Sequence, residues 1–188
     1  LKVEQCAHVF DFDLEAPAEQ TNREIKSQAL AELVEVLRSS GRPALLSEQH
    51  YGPLLHMIER NVIRPPAPTV NPYGEEWDPE EDEPVFEPAW AHLQLVYEAW
   101  LGWLEAADFN LNWAKPLYTE HLVIRLMDRL DGEDPREREY VKTVVHRIYG
   151  KFLPLRAPIR RHMRHIFCEF VYEGERHNIA ELLEILGR

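Results

Sequence analysis

The stretch EDPREREYVKTVVHRIYGKFLPLRAPIR, residues 133–160, decides the fold. Asp134 stands where a helix N-cap accepts backbone N–H bonds. Pro135 follows at the first helical position, where a missing N–H costs nothing, and Glu137 lies three residues past the cap. Val141, Val144, Val145, Ile148 and Tyr149 then recur at helical spacing, so a helix is expected to run to about Phe152. Beyond Pro154 a second helix carries Leu155, Ile159, Met163, Ile166, Phe167 and Phe170. Two amphipathic helices joined by a tight break make a helical hairpin.

The same unit recurs outward from this stretch. Upstream, Ile25, Ala29, Leu33 and Val36, widened by Leu30 and Leu37, predict a helix from Asn22 to Ser40, stopped by Gly41 and Pro43. A second reads from about Tyr51 to Arg64 through Leu54, Leu55, Ile58 and Val62, with Pro53 in its first turn. Helices resume near Ala89 with Leu93, Val96, Tyr97, Trp100, Leu101 and Leu104, and again over 115–130 with a break near Thr119. Trp90, Trp100 and Trp103 are expected in the core. Asn178 is expected to cap a last helix over 179–187. No run of alternating β-branched residues with a hairpin turn occurs. The predicted class is all-α. Pairs cover about 22–64, 88–130, 135–173 and a truncated 178–188, about three and a half in all, in one domain. The later pairs begin about 45 residues apart, the period of HEAT-like repeats, which favours an α-solenoid over a plain helical bundle. The last helix carries Leu182, Leu183 and Leu186 with no polar cap, and the chain opens on Leu1, as expected of a piece of a longer solenoid.

Between the first two pairs lies a different kind of sequence. Seven of the fourteen prolines fall within 65–88, and eight acids from Glu75 to Glu87 occur with no base among them. Helix cannot pass through that density of proline, so an extended, solvated loop over 65–87 is expected. The run lacks the ligand spacing of an EF-hand. A solvated loop or a docking strap for a basic partner explains it better.

Charge bounds the partners. The 188 residues carry 21 Lys and Arg against 33 Asp and Glu, a net −12, which disfavours nucleic acid and anionic membrane. No apolar run reaches membrane-spanning length, and two cysteines imply no disulfide framework. Against this background, residues 140–168 hold seven bases and no acid: Lys142, Arg147, Lys151, Arg156, Arg160, Arg161 and Arg164, joined by His146, His162 and His165. Lys142, His146 and Tyr149 share one side of their helix, and Arg156, Arg160 and Arg164 stack along the next. A groove basic at its rim and apolar inside suits a peptide with acidic or phosphorylated residues and aliphatic anchors. The competing explanation is a solvated face paired with acids from neighbouring repeats. His162, His165 and Cys168 do not converge as metal ligands at i, i+3, i+6, and Cys168 is expected in the core. No P-loop, nucleophile elbow or dinucleotide turn is present. No catalytic residue, metal or cofactor is predicted.

Five stretches carry a family resemblance: CAHVFDF (6–12), NPYGEEWDPEEDEP (71–84), AHLQLVYEAWLGWLEAADF (91–109), residues 133–160, and HNIAELLEILG (177–187). Together they resemble the B-prime regulatory subunits of protein phosphatase 2A, as the N-terminal half of that HEAT-like core, cut inside its fourth helix pair. The resemblance implies a non-enzymatic subunit that joins phosphatase scaffold and catalytic subunits. It recruits substrates through LxxIxE short linear motifs, with or without phosphorylation, in the cytoplasm and also the nucleus. Carried over position by position, it places Lys142, His146, Arg147, Tyr149, Arg156 and Ile185 in the motif pocket. The motif's Leu and Ile need apolar wells, each worth roughly 1.5–3 kcal/mol on burial. Its Glu needs Lys142, His146 or Arg147 nearby. Ordering a disordered peptide offsets much of this gain, which leaves micromolar affinity. The chain departs from the family at Pro154, usually Gly, at Pro158, usually aromatic, and after Asn178, where a usual Gly is missing. Both prolines flank Arg156 and bear on its aim; the alternative reading is a diverged helical-repeat binding module not assembled with the phosphatase.

Overall fold

The computed structural model of the chain describes residues 2–12, 17–39, 46–65, 86–173 and 179–187. The acidic proline segment and the cap at Asn178 lie outside the described residues, except at the segment's two ends. The described residues form nine α-helices: α1 Lys2–Cys6, α2 Pro17–Arg38, α3 Glu48–Val62, α4 Trp90–Glu105, α5 Leu111–Ala114, α6 Glu120–Asp128, α7 Pro135–Lys151, α8 Arg156–Glu173 and α9 Ile179–Leu186. Short 3-10 turns occupy Arg129–Asp131 and Leu153–Leu155. Among the described residues no strand occurs, and no helix is long and apolar enough to cross a membrane.

The helices stack in two layers. One row runs α2, α4, α7, α9, each packed on the next; α3 pairs with α4 and α5, and α6 packs on α8. This is an all-α solenoid of helix pairs, as the spacing predicts. Helix α1 precedes the first predicted pair and packs on α2 and α3; its five residues are too short to show a period. Gly102 lets the first two layer helices approach closely, since a Cβ there lies 3.2 Å from Arg38 Cγ and 3.6 Å from Leu37 Cβ.

Local signals set the helix ends. Asp134 caps α7 by accepting from the Arg136 N–H at 2.9 Å, and Thr119 caps α6 through the Leu122 N–H at 3.2 Å. Thr119 thereby divides the predicted 115–130 stretch. Helix α3 starts at Glu48, earlier than predicted, so Pro53 sits inside it and not in its first turn. Pro53 is exposed there.

The core is rich in aromatic side chains. Trp100 and Trp103 are fully buried and Trp90 partly so. Trp100 Nε1 donates to the Tyr118 hydroxyl at 2.8 Å, Tyr118 stacks on Phe152 at 4.4 Å, and Tyr51 meets Trp103 edge-on at 5.0 Å.

Three further expectations are corrected. The buried face of α2 runs through Lys26, Leu30, Val34 and Leu37, while Ile25 is 54% exposed. The stripe is rotated because Lys26 is buried: its ammonium donates at 2.6 Å to both the His8 carbonyl and Asn61 Oδ1. Cys168 is exposed rather than in the core, because α8 buries Ile159, Met163 and Ile166 instead. Glu137 turns inward and meets Arg64, Tyr97 and Arg129.

Candidate peptide-binding site

Helix α7 buries Val141, Val144, Val145 and Ile148, which leaves Thr143, His146 and Arg147 toward its outer side. Helix α9 docks on it by charge and apolar contact together. Arg138 Nε donates to Glu181 at 2.8 Å, and Lys142 Nζ to Glu184 at 2.7 Å. Leu182 and Ile185 supply the buried face of α9.

Above this junction Lys142, Thr143, His146, Arg147, Glu184 and Ile185 line one cleft of about 50 Å³. Four of the six residues expected in the pocket are thus neighbours there. Tyr149 and Arg156 are not in its lining. They meet each other one turn along α7, where the Arg156 guanidinium lies 5.1 Å from the Tyr149 ring centroid. Arg156 donates through Nε to the Tyr149 carbonyl at 2.9 Å and through Nη2 to the Gly150 carbonyl at 3.3 Å, so it closes the C-terminus of α7. Arg160 Nη1 donates to the Tyr149 hydroxyl at 2.8 Å. Both prolines at this joint sit where helix geometry tolerates them. Pro154 belongs to the 3-10 turn, and Pro158 lies in the first turn of α8, where no helical N–H bond is lost.

The basic run is partly neutralised from within. Lys142 is 7% exposed and held by Glu139 at 2.6 Å as well as by Glu184. Burial pulls its pKa down, but the two carboxylates outweigh this and raise it. Arg147 Nε meets Glu105 at 2.5 Å, and Arg161 pairs with Glu120. Lys151 sits over the Phe109 ring at 5.2 Å. His162 faces Asp128 at 2.9 Å and His165 faces Glu169 at 3.3 Å. Acids from neighbouring helices therefore cover much of the run, as its competing explanation holds. Arg156, Arg160 and Arg164 have no acidic partner among the described residues.

Thr143 and Glu184 line the cleft but are absent from the sequence-based set. A signal for Glu184 exists: acids at 181 and 184 on α9 face bases at 138 and 142 on α7. Thr143 gives none, since its hydroxyl only back-bonds to the Glu139 carbonyl at 2.9 Å. Among the described residues no group of three His, Cys, Asp or Glu side chains is placed to hold a metal ion.

A two-layer HEAT-like solenoid with a mixed basic and apolar cleft between successive hairpins defines a helical-repeat protein with a candidate recognition surface. The chain belongs to the B56 family of protein phosphatase 2A regulatory B subunits, whose family model matches residues 1–188. It is 50% identical over 187 residues to the human serine/threonine-protein phosphatase 2A 56 kDa regulatory subunit beta isoform, covering 99% of this chain and 36% of that protein. It is 49% identical to the human delta isoform, covering 99% of this chain and 31% of that protein. The Dictyostelium discoideum regulatory subunit psrA is 45% identical over all 188 residues, 29% of its own length. The chain thus spans about a third of the length of these relatives.

Proposed function

We propose that this chain is the part of a protein phosphatase 2A regulatory subunit that recruits substrates, by holding LxxIxE-type motifs between α7 and α9. The carrying observation is the single cleft shared by Lys142, His146 and Arg147 on α7 and Ile185 on α9. In this reading the motif's aliphatic anchors rest against Ile185, the Tyr149 ring and the stems of the long side chains. Each well-buried anchor contributes roughly 1.5–3 kcal/mol.

Electrostatics assigns the acidic anchor. Lys142 and Arg147 already face carboxylates, so the motif's Glu is received by Arg156 together with His146. Glu184 keeps a second acid away from the Ile185 end. The scaffold and catalytic subunits of the phosphatase are the partners to which the motif-bearing protein is delivered.

Isothermal titration with an LxxIxE peptide tests the reading. Micromolar binding is expected, with His146→Ala and Arg156→Ala each weakening it about tenfold, the loss of one charge-assisted contact. A control peptide with Ala for both Leu and Ile is expected not to bind. Equal binding by wild type and both variants overturns the pocket. A pull-down with purified scaffold and catalytic subunits tests assembly separately.

A further inference from the structure

The helix row that carries the candidate cleft holds a second, larger groove, which the proposed function does not use. Ala31, Val34, Glu35, Arg38 and Ser39 of α2 and Leu95 of α4 line an open groove of about 470 Å³. Val34, Glu35, Arg38 and Ser39 fall at i, i+1, i+4 and i+5, the same spacing that Lys142, Thr143, His146 and Arg147 have on α7. Leu95 comes from the next helix of the row, as Ile185 does in the cleft. The groove is therefore the α2/α4 counterpart of the α7/α9 cleft. The seam between them is bridged, since Tyr140 donates to Glu98 at 3.3 Å and Arg147 meets Glu105 at 2.5 Å. Glu98 also holds Arg38 at 3.2 Å, which ties the groove to that bridged seam.

The walls select the occupant. Val34 is buried and Leu95 half-buried, while Ala31 is exposed and small enough to leave the groove open. Few polar groups are offered to a ligand: the Ser39 hydroxyl bonds the Val36 carbonyl at 2.9 Å, and Arg38 is taken by Glu98. Both walls are helices, whose backbone groups bond within the helix. An extended peptide laid here would leave its own N–H and C=O groups facing an apolar floor without partners. A helix satisfies its backbone internally and presents only side chains. From Ala31 to Ser39 the groove runs about 12 Å along α2, two helical turns, which matches aliphatic side chains at i, i+3, i+4 and i+7. Charge completes the match. Glu35 is exposed, and its carboxylate has no partner among the described residues. It complements a Lys or Arg bordering the aliphatic stripe, and the net charge of −12 repels an acidic helix.

We infer that the α2/α4 groove docks an amphipathic helix of a partner protein, with aliphatic side chains over Ala31, Val34 and Leu95 and a basic residue on Glu35. This goes beyond the proposed function and does not rest on it, because each readout below stands whether or not the α7/α9 cleft binds its motif.

Fluorescence anisotropy on the purified chain tests it with three labelled helical peptides. The first carries leucines at i, i+3, i+4 and i+7 bordered by lysines. The second has serine for the two central leucines, and the third has glutamate for the lysines. The first is expected to bind, and the second at least about tenfold more weakly, since it loses buried aliphatic side chains. Ala31→Tyr, at an exposed helical position, fills the groove and should weaken the first peptide about tenfold with an unchanged thermal midpoint. Glu35→Lys should weaken the first peptide about threefold and tighten the third by a similar factor. Glu48→Lys, the same charge change at an exposed site on α3, should do neither. Failure of the first peptide to bind, equal binding by wild type and Ala31→Tyr, or parallel effects of Glu35→Lys and Glu48→Lys overturn the inference. Displacement of the first peptide by an unlabelled LxxIxE peptide also overturns it, since the helix would then occupy the α7/α9 cleft.

Discussion

Arg64 and Glu137, 73 residues apart in sequence, meet through two parallel hydrogen bonds, Nη1 to Oε1 at 2.8 Å and Nη2 to Oε2 at 2.7 Å. Tyr97 donates to the same carboxylate at 2.8 Å, and Arg129 reaches it at 3.4 Å. Arg64 also holds Glu87 at 2.6 Å, and the Glu87 N–H donates to Asp134 at 2.9 Å. The residues bordering the acidic proline segment are therefore tied to each other and to the start of α7, the helix that carries the candidate site.

Removing Arg64 strips a carboxylate that is 2% exposed of its bidentate partner. An unpaired buried charge costs about 3–5 kcal/mol. Arg64→Ala is therefore expected to lower the urea unfolding free energy by that amount, and Arg64→Ala/Glu137→Gln to recover part of it. A loss below about 1 kcal/mol, the range of exposed pairs, would show that water screens the network.

The same carboxylate sets the acid sensitivity. Burial pushes the Glu137 pKa up, but bonding and charge from Arg64, with Arg129 and Tyr97, hold it below its ordinary 4.5. Asp134 is likewise held low, chiefly by Arg136 against the cost of burial. As pH falls the unfolded chain takes up these protons before the folded one does, so stability declines from about 4.5 downward. Glu137→Gln lacks its share of this term. Thermal midpoints at pH 7 and pH 4 should fall less between the two for the variant than for wild type. Equal falls count against the assignment.

The helical hairpins are legible in the sequence because their signals are local: a cap at Asp134, a break at Pro154 and a period through Val141, Val144, Val145 and Ile148. The resemblance, not any local signal, singles out Lys142, His146, Arg147 and Ile185, which line one cleft, and the charge run points only to their region. What escaped was set by tertiary pairing. Nothing local tells that Lys26 is buried among carbonyls, that Glu137 serves Arg64 across the chain, or that Glu105, Glu120 and Glu184 neutralise distant bases. The apolar spacing of α2 alone leaves its register ambiguous, because two adjacent stripes both hold aliphatic residues and a lysine decides between them.

That lysine predicts an alkaline effect. Burial lowers the Lys26 pKa to about 8, with the neighbouring Cys6 thiolate acting the other way. Between about 8 and its ordinary 10.5 the unfolded chain holds a proton that the folded chain has released, so this group adds stability as pH rises. Burial pushes the Cys6 thiol above its ordinary 9.0, which opposes the gain at higher pH. The clean window therefore lies below about 9. Urea midpoints from pH 7.5 to 9 should rise for wild type relative to Lys26→Met. Parallel profiles would assign the titration elsewhere.

The cleft makes one further demand on its ligand. Glu184 presents a half-exposed carboxylate to the space that it shares with His146 and Ile185, and it ties up the Lys142 ammonium at 2.7 Å. An acidic ligand approaching that end meets repulsion from Glu184 and finds Lys142 already engaged. Glu184→Gln removes the repelling charge and leaves only Glu139 on Lys142. α9 stays docked through Arg138 and Glu181 and through buried Leu182 and Ile185. An LxxIxE peptide carrying an extra acid next to its Ile is therefore expected to bind Glu184→Gln about threefold more tightly than wild type at low salt, the size of one partly screened charge contact. The same peptide without that acid should bind both proteins alike. Titration calorimetry that gives the two peptides the same ratio between variant and wild type would remove Glu184 from the recognition of ligand charge.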